Sequence, residues 1–177
     1  GEIICARTPG LEQIGPFEFG TIVSAASLLH DIGNPPFGHA GENAISGYFR
    51  ESDVGHALQG DLGHREHADL CHFEGNAQGF RLANKNNYQG LKLTFATLGA
   101  FSKYPRESLL DHVDKDRKSQ KKYGFFQANK EAFARVAKAC NLQQIGDAGN
   151  AAWCRHPLAF LVEAADDICY NIIDLED

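Results

Sequence analysis

The sequence is short of several things that would place it quickly. It has no apolar run long enough to cross a membrane, and no basic-then-apolar leader opens it. Both absences point to a soluble, cytoplasmic protein. The cysteines Cys5, Cys71, Cys140, Cys154 and Cys169 are scattered, odd in number and without a CxxC pair. That excludes a thiolate zinc site of the usual spacing and argues against a disulfide framework. Positive charge is not in excess: the formal net charge is -6, so bulk electrostatics gives no affinity for polyanions. Repeats and low-complexity tracts are absent too. The one local departure is the basic run KDRKSQKK, Lys115 to Lys122, which reads either as a solvated loop or as a phosphate contact.

What the sequence does have is enough chain for one domain with a core, 177 residues, and a predominance of helical patterns. Thr21–Leu29 is apolar with small residues, and Pro35 and Pro36 forbid its continuation. Gly41–Arg50 resumes a helix, Ser52–Leu70 reads as a polar loop, and Phe73–Ala83 and Leu91–Phe101 read as helices. Pro105–Tyr123 is a charged loop or short helix. Asn129–Cys140 carries an N-cap candidate in Asn129 and an apolar side. Gly1–Gly15 has no clear helix start. Pro157 suits a helix first turn, and Leu158–Leu175 follows with apolar residues at helical spacing, still running where the sequence stops. The expected fold is all-α. Phe125–Phe126 and Phe17–Phe19 are expected in the core.

The chemistry gathers in LLHDIGNPPFGHAGENAI, Leu28 to Ile45. His30, Asp31, His39 and Glu42 fall within thirteen positions, with two prolines and three glycines between them. Adjacent residues on a regular helix diverge by about 100°. For His30 and Asp31 to aim at one point the chain must leave helical geometry, which Gly33 and the Pro-Pro pair permit. An imidazole nitrogen with a carboxylate oxygen suits Mn²⁺, Fe²⁺, Mg²⁺ or Zn²⁺. His39 and Glu42 are three apart and share a helix face, so the carboxylate can hold the ring in one tautomer and favour a general acid. In the last helix Glu163, Asp167 and Asn171 form a polar row, whereas Asp166 shares a largely apolar row with Val162, Tyr170 and Ile173. A half-buried carboxylate needs a cation or several donors; a salt bridge and metal ligation both satisfy that. Asp167 reads as a solvated charge. His64, His67 and His72 could suggest zinc, but their Gly, Asp and Arg surroundings read as a solvated loop.

Four separated blocks, HD at His30–Asp31, GNPPFGHAGE from Gly33, HFEGNAQGFR from His72 and EAADDICYNIIDLED from Glu163, resemble the deoxynucleoside triphosphate triphosphohydrolases of the HD-domain superfamily. The likeness is to the bacterial deoxyguanosine triphosphate enzymes. It implies an HD-type helical fold, with residues 1–177 as the central part of a single catalytic domain truncated at both ends. It implies His30, Asp31 and Asp166 as metal ligands, with Mg²⁺ or Mn²⁺ as cofactor and Fe²⁺ or Zn²⁺ as further candidates. His39 and Glu42 become the catalytic pair. Lys122, before Tyr123 and Gly124, becomes a phosphate contact, Tyr170 a ring under the deoxyribose, and Lys103–Tyr104 a further nucleotide block. Asn34 stands where many HD relatives carry histidine; an amide can bond phosphate or water but is no acid. The family's first metal histidine lies in an Arg-rich Thr-His-Ser type segment, and no such segment occurs here. The implied reaction releases deoxynucleoside and triphosphate, dGTP preferred. A homo-oligomer, a hexamer by resemblance, and a single-stranded DNA effector are implied as well. The alternatives are a regulatory nucleotide-binding protein without turnover and an HD phosphohydrolase of another nucleotide class.

Overall fold

The computed structural model describes residues 2–10, 14–85, 91–114, 116–147 and 149–176. Among them the structure is helical with no named strand, so the all-α expectation holds. A short helix α1, Glu2–Arg7, occupies the segment where the sequence offered no start signal. Helix α2, Pro16–Leu29, begins with its proline in the first turn, where a missing N–H costs nothing, and the Gly15 N–H donates to the Glu18 carboxylate. Helices α3, His39–Glu51, and α6, Gly75–Ala83, match the expected segments closely. So do α8, Lys130–Ala139, and α9, Ala159–Glu176, while α7, Phe95–Phe101, starts four residues later than the Leu91 expected. Pro157 lies two residues before α9 instead of inside its first turn.

The expected loop at Ser52–Leu70 is instead two helices, α4, Asp53–Leu58, and α5, His64–Cys71. Ser52 Oγ caps α4 by accepting the Gly55 N–H at 3.0 Å. Helix α5 buries His67, Ala68 and Cys71 on one face, and α5 packs on α3. The periodicity was present, but histidine stood at an apolar position and hid it.

The core forms where α2, α7 and α9 pack together and α8 closes on α7. Its densest part is aromatic. Phe125 stacks on Phe133 at 4.6 Å, Phe80 meets Phe133 at 5.1 Å, and Trp153 meets Phe133 at 5.4 Å between centroids. Such pairs add about 0.5–1.5 kcal/mol each beyond area burial. Phe125 and Phe126 are thus core residues as expected, and Phe19 packs half-buried against the cluster. Phe17 is not: it is 82% exposed at the start of α2.

Between α7 and α8 the chain is irregular but strongly bonded. Glu107 N–H donates to Ala151 O at 3.0 Å, Trp153 N–H to Pro105 O at 2.9 Å, and Gly124 N–H to Arg106 O at 3.0 Å. Segment 104–107 therefore runs between 151–153 and the 123–125 stretch. Glu107, fully buried, braces it through Arg65 at 2.9 Å, Lys130 at 3.2 Å, Gln127 Nε2 at 2.6 Å and the Ala151 N–H. Lys103 and Tyr104 thus stand at the start of this braced segment, and Lys122 precedes the 123–125 stretch that flanks it. No helix among the described residues is long and apolar enough to cross a membrane.

Candidate functional site

His30 follows the last residue of α2, and its Nδ1–H donates to Ser27 O at 2.7 Å. A carbonyl only accepts, so the proton sits on Nδ1 and Nε2 faces outward. That Nε2 lies 3.1 Å from Asp31 Oδ2 and 3.3 Å from Asp166 Oδ1. Three electron-rich atoms at this spacing need a positive charge among them: a proton on Nε2 or a cation. One imidazole nitrogen and two carboxylate oxygens are a donor set that suits a hard or borderline divalent ion. The outer oxygens are already engaged. Lys103 Nζ donates to Asp166 Oδ2 at 2.6 Å, and Asn34 Nδ2 donates to Asp31 Oδ1 at 2.8 Å. As placed, no group of three or more His, Cys, Asp and Glu among the described residues is arranged to hold a metal ion outright. The donor types fit a cation; the ammonium of Lys103 meets part of the same need.

The second pair stands at the start of α3, entered through Gly38 at φ +54°. His39 Nδ1 donates to Glu42 Oε2 at 2.7 Å, which turns Nε2 away from the carboxylate. Glu42 is buried, and its Oε1 accepts the Gly75 N–H at 2.7 Å. Burial opposes the Glu42 charge, but the bonds from His39 and Gly75 and the Lys122 charge at 3.9 Å outweigh it and hold the carboxyl below its ordinary range. Lys122 Nζ also donates to Glu74 Oε1 at 3.0 Å, an oxygen shared with Asn76 Nδ2 at 2.7 Å.

Both pairs rest on the first turns of α6. A Cβ at Gly33 would lie 2.1 Å from Gly75 O and Gly79 N. One at Gly75 would lie 2.6 Å from Asn34 Oδ1 and 2.8 Å from Glu42 Oε1. Gly33 is therefore required for close approach rather than for backbone freedom, since its φ is not positive. The Glu42 carboxylate at the α6 N-terminus also meets the favourable end of a helix dipole.

A cavity of about 480 Å³ opens beside the second pair, lined by His39, Glu42, Asn43, Arg50, His72 and Lys122 among others. Glu74, in the HFEGNAQGFR block expected to line the pocket or pack beside it, lines this cavity; Asn43 and Arg50 were not anticipated. The signal existed: His39–Asn43 and Glu42–Ser46–Arg50 are i, i+4 rows on α3. Of the three tempting histidines, His72 lines the cavity and His64 is exposed on α5. His67 is buried, not solvated: its Nε2 lies 3.1 Å from Gly55 O and its Nδ1 3.5 Å from Cys71 Sγ. Of the basic run, Lys122 enters the cavity, Arg117 pairs with Asp114 at 3.7 Å, and Lys115 lies outside the described residues.

Tyr104 is half-buried beneath Arg155, whose Cζ lies 6.0 Å from the ring centroid. Val162 and Asp166 follow the expected half-buried row of α9, but the row does not continue. Tyr170 is 66% exposed and Ile173 is exposed as well. Asp167 is solvated, as expected.

The HD domain family model matches residues 4–77, which contain His30, Asp31, His39 and Glu42. Residues 4–77 are thus similar to an HD domain. Curated relatives extend the likeness beyond that match. The chain is 52% identical over 176 residues to a deoxyguanosinetriphosphate triphosphohydrolase-like protein of Synechocystis sp., covering 94% of this chain and 40% of the relative. It is 42% identical over 181 residues to one of Pseudomonas aeruginosa, covering 100% of this chain and 39% of the relative. A Salmonella enteritidis deoxyguanosinetriphosphate triphosphohydrolase is 37% identical over 194 residues, 95% of this chain and 36% of the relative. The chain thus spans about 40% of the length of the curated relatives it matches. The HD-domain match stops well short of Lys103, Lys122, Asp166 and Tyr170; those positions fall within the full-chain alignment with the Pseudomonas aeruginosa relative.

Proposed function

We propose that residues 1–177 are the central part of a single HD-type catalytic domain, and that the protein hydrolyses deoxynucleoside triphosphates, dGTP preferred. The carrying observation is that His30 Nε2 faces Asp31 and Asp166 within 3.3 Å while the His39–Glu42 pair is seated on the same helix α6. The names of the relatives supply the substrate class. His30, Asp31 and Asp166 would hold a divalent ion, Mg²⁺ or Mn²⁺, which supplies polarisation of a phosphoryl oxygen and a lowered pKa for water.

The other steps fall to the chain's own groups. Glu42 fixes the His39 ring with Nδ1–H inward, and a proton held on Nε2 passes to the leaving 5′-oxygen as water adds to the α-phosphorus and the bond from it to that oxygen breaks. Lys122, released from Glu74, offsets charge on the departing triphosphate, and Lys103 turns from Asp166 to the phosphates. Asn34 keeps Asp31 in place. Tyr170 packs under the deoxyribose and leaves little room for a 2′-hydroxyl. The exposed apolar residues Ile168, Ile172 and Leu175 of α9 support burial of this face in a larger homo-oligomer.

The test is incubation of the full-length protein with Mn²⁺ or Mg²⁺ and each dNTP in turn. Deoxynucleoside and intact triphosphate are expected, fastest from dGTP. Release of orthophosphate or pyrophosphate would refute the reaction.

A further inference from the structure

Arg155 is a largely buried cation outside the groups already assigned. Its side chain is only 6% exposed, and Nη1 donates to Glu163 Oε2 at 2.8 Å. Its Cζ lies 5.4 Å from the Phe160 ring centroid and 6.0 Å from that of Tyr104. Its Nε is buried and has no hydrogen-bond partner among the described residues. Burying a guanidinium with one donor unsatisfied is costly, and one ion pair does not recover that cost. The position makes sense as a cross-link. Phe160 and Glu163 belong to α9; Tyr104 belongs to the braced segment that carries Lys103. A second link joins the same two elements, since Lys103 Nζ donates to Asp166 Oδ2 at 2.6 Å. Glu163 and Asp166 are three apart on α9 and share a face. The Trp153 N–H bond to Pro105 O, at 2.9 Å, holds the backbone of Arg155's own segment alongside Tyr104.

We propose that Arg155 is a positioning residue: it clamps Tyr104 against α9 and so keeps Lys103 in register with Asp166. This rests on the reading above, in which Lys103 and Asp166 belong to the reactive site. Arg155 itself touches neither. Lysine replaces it only in part, because an ammonium keeps the charge opposite Glu163 but has no plane to lie across two rings.

The experiment measures the acylation rate of Lys103 in the full-length protein by peptide mass mapping, with Lys138, exposed on α8, as internal reference. In Arg155→Ala, Lys103 should react about tenfold faster, the size of a lost ring–guanidinium contact, while Lys138 is unchanged. Arg155→Lys should give an intermediate rate. Tyr104→Ala, which opens the clamp from the other side, should free Lys103 likewise, so the test survives if one variant fails to fold. An unchanged Lys103 rate in the folded variants overturns the proposal; so does a parallel rise at Lys138, which would mean general loosening. Should the wild-type protein cleave no dNTP, the labelling still decides the clamp, and only the proposed reaction falls.

Discussion

Gly75 N–H donates to Glu42 Oε1 at 2.7 Å, and this bond joins the start of α6 to the His39–Glu42 pair on α3. With one oxygen so anchored, the other can hold His39 Nδ1 at a fixed 2.7 Å. The ring is thereby oriented although its side chain is 80% exposed. An exposed ring contributes little packing, so its removal separates catalysis from stability. His39→Ala is expected to lower kcat by about 10²–10⁴-fold, the usual weight of a general acid, with a fall in melting temperature limited to the lost His39–Glu42 bond. Steady-state dNTP hydrolysis alongside a thermal melt decides this; a near wild-type rate would remove His39 from the reaction.

Glu42 also gives the fold a defined acid response. Its carboxyl is held below the ordinary glutamate range because the His39 and Gly75 bonds and the Lys122 charge overcome burial. A depressed folded-state pKa stabilises at pH above the unfolded value and loses that contribution as pH falls through the folded one. Asp69 acts in the opposite sense, since burial raises its carboxyl. The comparison must therefore be with Glu42→Gln. Urea midpoints measured from pH 7 down to pH 3 should fall more steeply in the wild type than in that variant. Parallel curves would mean that the Glu42 bonds carry no net stability.

Gly33 reports on the seat of the His30–Asp31 turn. Its Cβ would collide with the α6 backbone at 2.1 Å, and backbone cannot swing aside as a side chain can. Gly33→Ala should destabilise by about 2 kcal/mol or more, the upper part of the overpacking range. It should also weaken Mn²⁺ binding by displacing Asp31. Denaturation and metal titration of the same variant measure both, and a stable variant with normal metal affinity would contradict the close seat.

These three sites show which kinds of information a sequence carries. The His39–Glu42 pair was legible because both groups sit three apart on one helix, where spacing fixes direction. Asp166 was legible because a carboxylate interrupts an apolar row. Gly33 was legible as punctuation but not in its purpose, which depends on α6 forty residues away. The α4–α5 pair was missed because Ser52 acts as a cap and His67 as a core residue, and both types more often mark loops. The α9 row misled beyond Asp166, because periodicity says which residues share a face and not what covers it. Glu107 and Arg155 gave no signal at all: their partners at residues 65, 130, 104 and 163 meet them only through tertiary packing.

Glu107 tests that last class. It is fully buried and faces two cations, Arg65 and Lys130, besides the Gln127 amide and the Ala151 N–H. Glu107→Ala leaves those donors facing an empty space and should cost about 3–5 kcal/mol, as removal of one member of a buried ion pair does. Glu107→Gln keeps the shape but not the charge and should cost less. Urea unfolding of both variants checks the order; equal losses would assign the effect to shape alone.

Lys103 and Asp166 give a prediction whose two arms have opposite signs. The Asp166 carboxylate faces His30 with one oxygen and Lys103 with the other, at 3.3 Å and 2.6 Å. If His30, Asp31 and Asp166 bind a divalent ion, Asp166→Asn removes a ligand charge and should weaken Mn²⁺ affinity by about tenfold or more. Lys103→Ala removes a like charge from beside the same ion and should tighten it. Electron paramagnetic resonance titration of free Mn²⁺ reads both without any turnover. The signs matter more than the sizes. A purely structural Lys103–Asp166 ion pair predicts that both variants lose stability and neither changes Mn²⁺ affinity. A metal site sharing Asp166 with Lys103 predicts affinities that move apart. Affinities that move together, or not at all, would leave the Lys103–Asp166 bond as the only role the geometry supports for Asp166.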